Sequence, residues 1–288
     1  MIPAAFEYRR ATSLEEALRL LQEAGSEAKL LAGGHSLLPL MKLRLAQPAV
    51  LVDIGGLEEL RGIRLEGEEL VIGALTPHAE VAASAQVAEA FPLLARAAAA
   101  IGDLQVRNRG TVGGNLAHAD PASDLPAVVL ALQGRLVARG ASGERVIPAG
   151  DFFLGPLSTA LEPGEILTAV RLPLLAGRVG TAYVKHRHPA SGYAVAGVAA
   201  VVRLAPDGSV DEARLGVTGV GLAPYRARAA EEALRGRRPE PEVLREAAAR
   251  ATDGVEVTGD LYASEEFRAY LCRHHAAEAL EEALAAAA

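Results

Sequence analysis

Apolar residues recur along the first third of the chain with two periods. Leu14, Ala17, Leu18 and Leu21 fall on one helical face, with Ser13 and Glu16 spaced as a capping box in front and Gly25 placed to end the turn. Lys29 to Ala32 reads as a short apolar strand that runs straight into Gly33-Gly34. Beyond the glycines, Ser36 is placed to cap a short helix through Leu37, Leu40, Met41 and Leu43, and Val50 to Ile54 returns as a strand. The pattern predicts a small α/β unit over 1–54, with a glycine turn between strand and helix.

Over 55–176 short strands such as Leu70 to Ile72 and Leu136 to Arg139 alternate with helical stretches at Pro92 to Ile101 and Leu125 to Leu132. A second pair, Gly113-Gly114, sits between those helices, and the segment predicts a second α/β unit. Over 177–288 the texture becomes a meander: Thr181 to His186, Ala194 to Leu204, a Pro206-Asp207-Gly208 turn, then Arg214 to Val220. Helices follow at Tyr225 to Arg235, Pro241 to Ala251 and Ser264 to Ala287, so the last third predicts an α+β domain of three strands and three helices, with a frayed alanine-rich tail.

Composition narrows the possible chemistry. Of 288 residues half are apolar, enough for a sizeable core, and a net charge of −7 without a Lys/Arg block argues against a nucleic-acid surface. One cysteine, Cys272, excludes an intramolecular disulfide or an iron–sulfur cluster held by this chain's own thiolates. Arg9-Arg10 is followed by a stretch broken by Glu15, Glu16 and Arg19 rather than an apolar export core, so the expected location is the cytoplasm. Leu125 to Leu132 and Ala194 to Val202 are too short to span a bilayer.

The two glycine pairs carry hydroxyl or amide neighbours, Ser36 in one case and Thr111 and Asn115 in the other. Without a Cβ, successive N–H groups can turn inward and let an anion approach the backbone closely. Two such segments suit a ligand with two phosphates. Neither G-x-G-x-x-G nor G-x-x-x-x-G-K-[ST] occurs, which disfavours a Rossmann or P-loop site. His118, Asp120 and Asp124 offer a competing reading as metal ligands, although no second histidine at helical spacing accompanies them, and Ser123 or Asp124 also suits the cap of the following helix. His186 and His188 flank Arg187 at a strand end and read as exposed histidines rather than a ligand pair, and no G-x-S-x-G elbow supports a hydrolase.

"LLAGGHSLLPLMKLRLAQP" and "IGDLQVRNRGTVGGNLAHADPASDLP" together resemble the FAD-binding medium subunit of the molybdenum hydroxylases, of the carbon monoxide dehydrogenase type, also similar to the flavin domain of xanthine dehydrogenase. The resemblance runs over essentially the whole chain. It implies an α+β protein: a two-part FAD-binding domain of the vanillyl-alcohol-oxidase or cell-wall-reductase type, then a three-stranded sheet with helices. It further implies that the FAD diphosphate lies against Ala32, Gly33, Gly34, His35 and Ser36 and against Thr111, Val112, Gly113, Gly114 and Asn115. Many relatives have Gln where this chain has His35. Ile101 and Leu167 match apolar positions beside the cofactor, Asp124 a polar contact, Lys185 a basic residue near the isoalloxazine, and Tyr193 a residue covering the ring.

The implied role is electron transfer. An iron–sulfur small subunit would receive electrons from a molybdopterin-binding large subunit, and the flavin would deliver them to an external acceptor, commonly within a dimer of heterotrimers. No catalytic residue and no metal ligand is expected in this chain itself. Rival readings are a stand-alone FAD-dependent oxidoreductase and a nucleotide-binding module without redox function.

Overall fold

In the computed structural model, which describes residues 1–287, the apolar runs condense into three main sheets that follow one another along the chain, with a small two-stranded ribbon, Phe153–Gly155 with Ser158–Thr159, beside the second. The first is parallel, with Val50–Asp53 between Glu7–Arg10 and Ala28–Leu31, and the helix Leu14–Ala24 packs its apolar stripe against it. Ser13 caps that helix by accepting from the Glu16 amide. The Glu16 carboxylate turns back to the amide and hydroxyl of Thr12 instead of closing the expected box on Ser13. Gly25 ends the helix at φ +58°, a conformation that costs a residue with a Cβ dearly.

The second sheet is antiparallel, ordered Ile63–Glu66, Glu69–Gly73, Ile166–Pro173, Arg135–Gly140, Gly143–Pro148. Helices Pro92–Ala100 and Asp124–Ala131 share one apolar core with it, through Leu93, Leu94 and Ala97 on the first helix and Leu125 and Val128 on the second. The second helix is buried along its whole length because the third sheet covers its other side.

That third sheet is ordered Arg178–Arg187, Ala194–Leu204, Val210–Thr218, Tyr225–Arg226. Its alternate residues go to different cores: Tyr183, Ala199 and Val201 face the helices Pro92–Ala100 and Asp124–Ala131, while Ala182, Val198, Ala200 and Val202 face the C-terminal helices. Burial on both faces explains the unbroken apolar run of the central strand. The sheet has four strands, not three. Tyr225 and Arg226 pair with Val217 and Gly216, so the helix expected from Tyr225 begins only at Arg228 and ends at Leu234. The closing helix Glu265–Ala287 continues to its last described turn rather than fraying, and it crosses the sheet so closely that a Cβ at Gly180 would overlap the Ala283 carbonyl.

The second glycine pair departs most from expectation. It lies within the helix Val112–His118, not in a turn, because Thr111 caps the segment by accepting from the Gly114 amide while Thr76 and Ala74 take the first two amides.

Candidate functional site

The strand Ala28–Leu31 ends in the turn Ala32–Ser36, which feeds the helix Leu37–Lys42. Gly34 sits at φ +76°, in the left-handed region that favours glycine. Among the described residues, the N–H groups of Gly34, His35 and Ser36 have no backbone acceptor. Successive unpaired amides at a bend form a concavity suited to an anion. The His35 ring folds back, its Nδ1 lying 3.0 Å from the Gly33 carbonyl oxygen, and the Ser36 hydroxyl makes no capping bond to the helix that follows.

The second segment is built differently. Thr111 Oγ1 accepts from the Gly114 amide at 3.1 Å, the Val112 amide donates to the Thr76 carbonyl at 3.0 Å, and the Gly113 amide to that of Ala74 at 2.7 Å. A Cβ at Gly113 would overlap Ala74, so this glycine lets the helix pack on the end of the second sheet. Gly114 is exposed, and its missing Cβ would point past Thr111 Oγ1 towards Ala32, 3.9 Å away. Val112 places its side chain in the core. Asn115 Nδ2 donates to Ser123 Oγ at 2.6 Å, which leaves a buried Oδ1 without a protein partner among the described residues.

The two segments meet. A Cβ at Gly33 would overlap the carbonyl of Arg109 and touch Gly110, the residues that lead into Thr111. Behind this junction lies a residue that carried no sequence signal, His78. Its amide donates to the Gly110 carbonyl at 3.0 Å and its ring is packed against Gly110. Burial first, and the neighbouring His35 second, press its pKa from the ordinary 6.5 to about 4.

His118, Asp120 and Asp124 do not share a metal-ligand geometry. The Asp120 carboxylate accepts from the Ala122 amide in a local turn, and Asp124 is buried and committed to Tyr183 Oη at 2.5 Å and Lys185 Nζ at 2.7 Å. The three potential ligands whose donor atoms converge among the described residues are His274, His275 and Glu278 on the C-terminal helix. Asp124 therefore does not cap its helix. Ser123 occupies that position without a side-chain capping bond.

The remaining expected residues gather around the same region. Lys185 Nζ also donates to the Ala100 carbonyl at 3.1 Å, which places it beside the buried Ile101. Leu167 is buried at the start of Ile166–Pro173, in the same core as Ile101. Tyr193 is 38% exposed. Partial burial and then the Asp120 carboxylate push its phenol pKa up, with a hydrogen bond to the Ser36 hydroxyl opposing, so Tyr193 borders the first segment and the Asp120 turn. Two arginines without a sequence assignment brace this rim: Arg107 donates to the Ile101 carbonyl at 2.9 Å and Arg187 to that of Gly102 at 2.7 Å.

Residues 4–175 match the family described as the FAD binding domain in molybdopterin dehydrogenase, and 181–283 match the CO dehydrogenase flavoprotein C-terminal domain. The chain belongs to the FAD-binding medium subunits of the molybdenum hydroxylases. Its cofactor is FAD. It is 42% identical over 285 residues to the carbon monoxide dehydrogenase medium chain of Hydrogenophaga pseudoflava, covering 99% of each chain. It is 37% identical to subunit alpha of the 6-hydroxypseudooxynicotine dehydrogenase complex of Paenarthrobacter nicotinovorans, over 99% of this chain and 96% of that one. Among solved structures, a chain of carbon monoxide dehydrogenase from H. pseudoflava superposes with a TM-score of 0.97 at 44% identity, each chain fully covered. One of quinoline 2-oxidoreductase from Pseudomonas putida 86 gives 0.93 at 31% identity, over 100% of this medium subunit and 99% of that chain.

Proposed function

We propose that this medium subunit holds FAD across its two glycine segments and relays electrons from iron–sulfur clusters of a small subunit to an external acceptor. A molybdopterin-binding large subunit would oxidise the substrate, and the assembly would be a dimer of such heterotrimers. The carrying observation is the close approach of the two segments, Gly33 against Arg109 and Gly110 and Gly114 towards Ala32, next to the unpaired amides of Gly34, His35 and Ser36. A diphosphate, rich in acceptors, fits the amides of Gly34, His35 and Ser36. The buried Asn115 Oδ1 needs a donor, and FAD offers hydroxyls as well as phosphates.

When bound, FAD supplies a carrier able to take electrons one at a time and release them in pairs. The chain's own residues bind and shield it. Ile101 and Leu167 give apolar walls, Tyr193 covers the open side, and Lys185 with Asp124 sets the local charge. Cys272 is buried with its thiol pKa pushed up to about 11 by burial, which fits clusters held elsewhere. The relatives' differing substrates, carbon monoxide and 6-hydroxypseudooxynicotine among them, leave substrate choice to the large subunit. We place the complex in the cytoplasm. Arg9 and Arg10 are built into the first sheet opposite Val52 and Asp53 rather than leading an export segment.

Mixing the recombinant chain, alone and with its co-expressed partners, with FAD tests this reading. The expected result is a bound flavin spectrum that bleaches with dithionite and recovers with an acceptor. Failure to retain flavin even in the assembled complex would contradict it.

A further inference from the structure

Tyr183 has no place in the reading above, yet it is the largest fully buried side chain in the molecule. Its ring belongs to the core beneath the flavin side, while its hydroxyl leaves that core to donate to Asp124 Oδ1 at 2.5 Å. Lys185, two residues along the same strand and therefore on the same face, contacts both Asp124 oxygens, at 2.7 and 3.0 Å, and the Ala100 carbonyl. The carboxylate thus joins the first turn of Asp124–Ala131 to the strand Arg178–Arg187, and the Lys185 ammonium extends the link to the end of Pro92–Ala100. Gly197, on the neighbouring strand, keeps the hydroxyl in place: a Cβ there would lie 2.9 Å from Tyr183 Oη.

A buried ion pair costs desolvation that its mutual attraction repays only when further hydrogen bonds satisfy the carboxylate. We infer that Tyr183 is a positioning residue for the flavin site: its hydroxyl fixes the Asp124 carboxylate, which in turn orients the Lys185 ammonium beside Ile101. The inference rests on the proposed FAD site.

Burial raises the Asp124 pKa, and the Lys185 charge and then the Tyr183 hydrogen bond work against that rise. The groups acting on this network are Tyr183 and Lys185 from the strand, Tyr193 from the loop that follows, Asp120 from the segment preceding Asp124, and Arg187, which acts on Lys185. Removing a hydrogen bond to the charged form lets the carboxylate take up a proton at higher pH.

The test is the pH at which half the flavin leaves the assembled complex, read by the fluorescence of released FAD. In Tyr183→Phe, which keeps the ring, the midpoint should rise by about one pH unit, the scale of one hydrogen bond to a charged group. Gly197→Ala, which displaces the hydroxyl without removing it, should shift the midpoint in the same direction. In an Asp124→Asn background, where no carboxylate is left to titrate, Tyr183→Phe should add no shift. An unmoved midpoint in Tyr183→Phe, or the same shift with and without Asp124, would overturn the inference. A wild-type complex that holds no flavin at any pH would instead sink the functional reading beneath it.

Discussion

Gly33-Gly34 and Gly113-Gly114 are the same dipeptide placed in opposite backbone states. The first bends at a positive φ and leaves successive amides unpaired. The second is helical, with the Gly113 and Gly114 amides already given to Ala74 and Thr111. In the first pair, Gly33 admits the other segment's backbone and Gly34 makes the bend. In the second, Gly113 admits the sheet and Gly114 leaves a bare face towards the first. An inward-facing amide nest needs only one of the two segments. The other supplies a surface and fixes its distance.

This division can be broken in graded steps. The largest effect belongs to Gly113→Val, whose side chain has to displace Ala74; overpacking of this kind should cost about 3 kcal/mol or more and lower the melting temperature of the apo chain, FAD or not. Unchanged melting would mean that the helix does not depend on that close approach.

Acid should act on the junction behind the second segment. His78 has a folded pKa of about 4 against an ordinary 6.5, so between these values the unfolded chain binds the extra proton and stability rises with pH. The loss on acidification should be complete near pH 4 and amount to at most roughly 3 kcal/mol. Urea unfolding from pH 7 to 4 measures it, and His78→Leu should flatten the dependence. A slope unaffected by the substitution would place the acid sensitivity elsewhere.

Gly33→Ala should be smaller. Its Cβ overlaps the Arg109 carbonyl and has to push the segments apart, and we expect FAD to bind about thirtyfold more weakly, equivalent to about 2 kcal/mol, with less effect on melting than Gly113→Val. Equal damage to melting from both substitutions would remove the distinction between a glycine for packing and one for the junction.

Both halves of the proposed cradle were candidates in the sequence because glycine beside hydroxyl and amide residues has a local meaning. The helix around the second pair was not, since two glycines lower helix propensity, and the Thr111 cap and the fit against Ala74 are what restore it. The strand Tyr225–Arg226 is two residues long and carries no periodicity of its own; it exists because Gly216 and Val217 offer an edge. Asp124 looked like a helix cap and serves instead as the hub for Tyr183 and Lys185, partners some sixty residues away that local spacing cannot reveal. His78 gave no signal at all, because its place is set by the backbone of Gly110 packing on it.

The most direct measurement of the central claim is FAD affinity and melting temperature determined together for Gly114→Val in the assembled complex. Its added atoms start 2.7 Å from Thr111 Oγ1 and project towards Ala32, into the space between the two segments. The joint-cradle account predicts at least a tenfold loss of FAD affinity, about 1.4 kcal/mol, with melting of the apo protein within a few degrees of wild type. Wild-type FAD affinity in a variant that carries the side chain between the segments would contradict it.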